Sequence, residues 1–183
     1  MWGFFKRKKS VKLSKDERIE IYIKNKEEVI HRAKEYLSDF HYDFEFVSED
    51  LMHVLFLDKL SEKIAYIQLS SPEKEPNIID LGDIHGMGIR YSSEEICIQK
   101  ESYENFGDMY SPEECANEID FATMGNMNLI SIFIKYQLNY SKEEEIEIPY
   151  YNKEKSIFGY EEKHNELKEM YQYLISSFIN YEN

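Results

Sequence analysis

Glycine, carboxylate and imidazole come together once in this chain at a spacing that could do chemistry. From Asp80 the sequence runs Leu-Gly-Asp-Ile-His-Gly-Met to Gly88 and holds three of the seven glycines. Glycine lets a backbone take positive φ or approach a ligand closely. Two carboxylates and a histidine beside it could hold a cation or move a proton. Asp80, Gly82, Asp83, His85, Gly86 and Gly88 are therefore the candidate ligand loop. No Lys-Ser or Lys-Thr pair follows, so it is not a phosphate-binding P-loop, and the dinucleotide fingerprint is absent. A tight connection between two strands would call for the same glycines.

Other reactive residue types are scattered. His31, His41, His53, His85 and His164 form no HExxH or HxH pattern, and Cys97 and Cys115 form no CxxC, so zinc has no support. His41 stands beside Asp39 and Asp43 and could ligate a metal, but it falls where a helix gives way to a strand. His53 interrupts an apolar run and reads as a hydrogen-bonded core or cross-strand residue. No GxSxG elbow is present, and neither cysteine has a histidine near it in sequence. No catalytic residue, metal or cofactor is assigned.

Charge says more. The net charge is -14, and the first twelve residues hold five Lys or Arg and no acid, which leaves -19 on the other 171. A body this acidic repels phosphate backbones and disfavours nucleic acid, while it steers cationic proteins toward itself. Glu143, Glu144, Glu145 and Glu147, followed by Tyr150 and Tyr151, combine acid with aromatic anchors and form the candidate partner surface. At the other end of the chain, Trp2, Phe4 and Phe5 precede Lys6, Arg7, Lys8 and Lys9. Interfacial rings followed by a basic cluster could touch an anionic membrane weakly and reversibly, which makes these seven residues the candidate membrane contact. Aromatic-then-basic is the reverse of a secretory signal. The longest nearly uncharged stretch, 127–134, is far short of the roughly 20 residues that span a bilayer. Two cysteines are too few for a disulfide framework. These features point to a cytoplasmic protein.

The elements that must carry these groups follow from periodicity. Ser14 with Glu17 has capping-box spacing, and Ile19, Ile23, Ile30, Ala33 and Leu37 continue at helical spacing to about Asp39, with Lys26 snorkelling at the edge of the stripe. Residues 43–47, 51–57 and 63–69 read as three strands of an antiparallel meander, and 71–77, with Pro72 and Pro76, as a loop. Short strands at 78–81 and 89–92 are predicted to flank the glycine-rich turn, with another strand at 95–99. Ser111-Pro112 should start a short helix to about Thr123, closed by Gly125. Alternation over 130–140 argues for a long strand, with 145–149 pairing back on it. Leu167, Tyr171, Leu174, Phe178 and Tyr181 trace a final amphipathic helix.

Together these predict an α+β fold: a basic aromatic tail at 1–13, then one domain over 14–183. In it, long N-terminal and C-terminal helices pack on one face of a mostly antiparallel sheet. The function expected of such a domain is protein binding, as an immunity- or antitoxin-like inhibitor of a basic partner of the kind found in bacteria. Two alternatives are an enzyme with its site at Gly82–Gly88 and a peripheral membrane adaptor working through the tail.

Overall fold

The computed structural model describes residues 13–70, 75–91, 94–99, 129–138 and 142–179. Their elements follow in the order α1 (Lys15–Lys34), β1 (Phe44–Val47), β2 (His53–Asp58), β3 (Lys63–Gln68), β4 (Asn77–Asp80), β5 (Ile84–Tyr91), β6 (Glu94–Gln99), β7 (Leu129–Leu138), β8 (Lys142–Asn152) and α2 (Tyr160–Ile179). A single 3-10 turn, Leu81–Asp83, joins β4 to β5.

Local chemistry sets the start of α1. The Ser14 hydroxyl accepts from the Glu17 amide at 3.2 Å, and the Glu17 carboxylate accepts from the Ser14 amide at 2.7 Å, completing the capping box. The strands sort into two antiparallel sheets of four, in the orders β1-β2-β3-β4 and β6-β5-β7-β8. β1, β2 and β3 form the meander, with Phe46 opposite Leu55 and Leu55 opposite Tyr66.

Period-two alternation in the first sheet then divides the interior. Phe46, Leu55, Leu57 and Ile64 point to one side, into a core shared with Ile89, Ile132, Ile134 and Ile148 of the second sheet. Val47, Val54, Phe56 and Ala65 point to the other, where Val29 and Ala33 of α1 and Leu37 cover them. From α2, Leu167, Met170 and Leu174 belong to the inter-sheet core. Tyr173 stacks on Phe44 of β1 at 5.2 Å, while the Tyr150 hydroxyl of β8 donates to the Lys163 carbonyl at 2.8 Å. α2 thus bridges β1 and β8, the edge strands of the two sheets.

The expected architecture, long terminal helices together on one face of a single sheet, is overturned. The described strands form two sheets, and the helices lie against opposite faces of the first. The cause lies in β2, where Val54 to Leu57 are all buried, so that the sheet needs cover on both sides. α1 supplies one cover, and the second sheet with α2 supplies the other. Only the C-terminal half of the α1 stripe is seated, since Ile23 remains 50% exposed.

The glycine segment also differs from expectation. β5 begins at Ile84 and carries Gly86 and Gly88 inside the strand, and among the described residues no glycine has a positive φ. Gly88 lies opposite Phe133, whose ring is fully buried with the Arg90 guanidinium and Lys135 ammonium over it. The predicted helix at 111–123, the tail at 1–12 with its membrane-contact residues Trp2 to Lys9, and residues 71–74 of the loop lie outside the described residues. Among the described residues, no helix is long and apolar enough to cross a membrane.

Candidate functional site

Among the described residues, four separate elements build a site that combines volume, rings and acid. The first is the β1–β2 turn. Ser48, fully buried, donates its hydroxyl to Asp50 Oδ1 at 2.5 Å and accepts from the His53 amide at 3.0 Å. Asp50 Oδ1 also accepts from the Met52 amide at 3.0 Å, and Leu51 takes a left-handed φ of 61° to complete the turn. This locks Glu49 and Asp50 in place. Glu49 Oε1 in turn accepts from the Ile157 amide at 2.8 Å, tying the turn to the connection before α2.

The second element is the end of β8. Ile130 pairs with Tyr151, but the next residue of β7, Ser131, pairs with Pro149, so Tyr150 is the extra residue of a β-bulge. Strict alternation would send Tyr150 and Tyr151 to opposite faces. The bulge buries both, at 1% and 6% exposure. Third, α1 brings Tyr22 edge-on to Phe158 at 5.1 Å. Fourth, Leu129 opens β7 and is 57% exposed.

Between them lies a cleft of about 450 Å³, walled by Tyr22, Tyr150, Tyr151, Leu129, Pro149 and Ile157, with Glu49, Asp50 and Lys155 also lining it. A second hollow of about 290 Å³ shares Leu129, Pro149, Tyr151 and Asn152 with it and reaches Arg90 and Glu147. The two form one groove.

Its electrostatics are consistent. Burial, followed by the charges of Glu166, Glu49 and Asp50, pushes the Tyr22 phenol well above the ordinary tyrosine range. Burial and then Glu166 do the same to Tyr150, with Tyr22 and Glu49 adding to the effect. Tyr151 is raised by burial and then by Glu49. All three phenols therefore stay neutral at physiological pH and keep their hydroxyl protons. Glu49 bears on all three, and among the described residues neither Glu49 nor Asp50 forms an ion pair. Next to the cleft the protein already holds one ammonium in similar company. The Lys163 side chain is 7% exposed, its Nζ lies 2.5 Å from Glu166 Oε2, and it sits 5.2 Å and 4.8 Å from the ring centroids of Tyr150 and Phe158.

The residues singled out from sequence fall elsewhere or divide. Glu143, Glu144, Glu145 and Glu147 lie on β8 and are engaged internally. Glu143 approaches His85 at 3.4 Å, Glu144 takes Lys142 at 2.6 Å, and Arg90 bridges Glu145 at 3.0 Å and Glu147 at 2.5 Å. Tyr150 and Tyr151 leave that acidic strand surface for the cleft. In the glycine segment, Asp80 lies 3.8 Å from Lys63, Gly82 and Asp83 form the 3-10 turn, and His85 is itself a bulge residue of β5. None of the six lines the groove.

His41 does find Asp43, at 3.3 Å, and the third member of that group is Asp58, not Asp39. Their potential ligand atoms lie within 4.8 Å of one another. Both carboxylates already serve backbone. Asp43 accepts from the Lys59 amide at 2.7 Å, and Asp58 from the amides of His41 and Ser61, both at 2.9 Å. Burial pushes the Asp58 carboxyl up, but these amides outweigh it and hold the group below the usual carboxylate range. The cluster closes the β2–β3 turn.

Sequence reasoning missed Tyr22, Glu49 and Asp50 as site residues. The one available signal was Ser48-Glu49-Asp50, a side-chain-closed turn that presents acids rigidly. No family model, curated protein or solved structure matches this chain.

Proposed function

We propose that this chain is a protein-binding domain that captures and restrains a basic protein partner in the cytoplasm, in the manner of immunity proteins and antitoxins. The observation that carries the reading is the cleft, where three neutral tyrosines and two acids without ion pairs among the described residues surround about 450 Å³. Aromatic side chains in partly desolvated pockets are the usual anchors of protein interfaces, and a net charge of -14 speeds the encounter with a cationic surface. The acidity continues in residues 100–128, which hold seven acids against one lysine.

The reading is tested by titrating the protein with lysine- and arginine-rich peptides and with aspartate-rich peptides of equal length, at low and at near-physiological salt. Saturable binding of the basic set that weakens with salt supports it, provided Glu49→Gln/Asp50→Asn loses most of that affinity. Equal affinity in the wild type and the double variant, or equal affinity for both peptide sets, overturns it.

A further inference from the structure

We infer that the groove takes an extended peptide segment anchored by one basic side chain, whose cation is received at Glu49 and Asp50 while its apolar stem lies between Tyr22 and Tyr151. This inference rests on the reading of the cleft as the partner's docking place and says what chemistry enters it.

Three features lead to a long-stemmed cation. The walls are largely apolar, with Leu129, Pro149 and Ile157 beside the tyrosines, so a bare ion would leave most of the cleft unfilled. An aliphatic stem suits those walls, and a cation at its tip suits the ring faces and the carboxylates. The acids are presented without rearrangement. Asp50 is fixed by Ser48 and the Met52 amide, and Glu49 by the Ile157 amide, so a cation meets charges already in place. The third feature is Lys163, buried beside two rings and one carboxylate a few residues from the cleft. The fold holds an ammonium of its own in the chemistry proposed for the ligand's.

Continuity of the groove favours a chain over a free amine. Leu129, Pro149, Tyr151 and Asn152 line both hollows, so residues flanking the anchor have an apolar bed that runs toward Arg90 and Glu147. Pro149 offers no amide there, and its exposed ring adds flat apolar surface.

The test uses the full chain, labelled for nuclear magnetic resonance, and four pentapeptides, acetyl-Ser-Val-X-Val-Ser-amide with X as lysine, arginine, norleucine or acetyl-lysine. The lysine and arginine peptides should perturb Tyr22, Glu49, Tyr151 and Ile157 and bind at least tenfold more tightly than the other two. Glu49→Gln/Asp50→Asn, which keeps the side-chain acceptors, should lose that preference with Tm nearly unchanged. Tyr22→Leu should weaken the basic peptides about threefold through loss of the ring face.

Equal binding of norleucine sinks the anchor but leaves the basic-partner reading standing if longer basic peptides still bind. Failure of every basic peptide sinks both. Binding that appears only after deletion of residues 1–12 would assign the groove to this chain's own basic segment, and concentration-dependent self-association lost in the double variant would assign it to a second copy. Either outcome overturns the inference.

Discussion

Two regions of this protein combine glutamate with tyrosine, and they differ in what the acids do. Along β8, Glu143, Glu144, Glu145 and Glu147 each meet a cationic or ionisable neighbour, namely His85, Lys142 or Arg90. At the β1–β2 turn, Glu49 and Asp50 meet hydroxyl and amide donors, and the charge of Glu49 is left to act on Tyr22, Tyr150 and Tyr151 and that of Asp50 on Tyr22. The denser run of acid is therefore the quieter one. A short pair held by a turn keeps its field, whereas an exposed ladder on a strand recruits counter-charges from the strands beside it. Local density of carboxylates in a sequence is thus a poor guide to which acids keep a charge without an ion pair.

The comparison can be broken most severely at Lys163, the internal example of what the cleft is argued to do. Lys163→Ala removes a buried ammonium and its packing against two rings, and leaves the part-exposed Glu166 with the Tyr150 hydroxyl. It should cost about 2 kcal/mol in urea unfolding. A loss under about 1 kcal/mol would mean that the aromatic surroundings do not favour a cation, and the contrast would lose its internal precedent.

Glu49→Gln/Asp50→Asn comes next. It should lower affinity for basic peptides about tenfold, or about 1.4 kcal/mol, while Glu144→Gln should change it less than about twofold, because Lys142 already matches that charge. Equal losses in the two variants would erase the distinction between the regions.

Arg90→Gln sharpens it from the other side. Arg90 is part-buried over the Phe133 ring, so removing the guanidinium should cost about 1 kcal/mol of stability. It should also raise low-salt affinity for basic peptides modestly, since Glu145 and Glu147 then behave as Glu49 and Asp50 do. No rise would show that pairing is not what quiets the ladder.

The smallest expected effect concerns pH. His53 is half-buried, its Nδ1 lies 2.7 Å from the Tyr66 hydroxyl, and burial lowers its pKa below 6.5 although Asp50 pulls the other way. The folded state therefore binds its proton less readily than the unfolded state. Stability is fully present above about pH 6.5 and declines as pH falls through the depressed folded value. Thermal melts from pH 7.5 to 5 should show a decline that His53→Gln reduces, and an unchanged slope in that variant would place the titration elsewhere.

Much of the local structure was legible because its causes are local. The Ser14 box begins α1 as its residues require, and the alternation of Ile130, Ile132 and Ile134 marks β7. Leu167 and Leu174 mark the buried stripe of α2. The cleft was not legible, because Tyr22, Glu49, Leu129 and Ile157 come from four elements and share no spacing. The misplacement of Tyr150 and Tyr151 has a single cause: one extra residue in β8 turns both rings inward, and nothing in the order Pro-Tyr-Tyr announces it.

The chain's order of residues was enough to set its acidity, the start of α1 and the alternating faces of β7, since those depend on neighbours a few positions apart. It was not enough to divide the eight described strands between two sheets or to send α1 and α2 to opposite faces of the first. Those outcomes depend on which apolar faces find each other across long separations. β2, apolar on both sides, could be satisfied only by partners that the whole fold had to deliver.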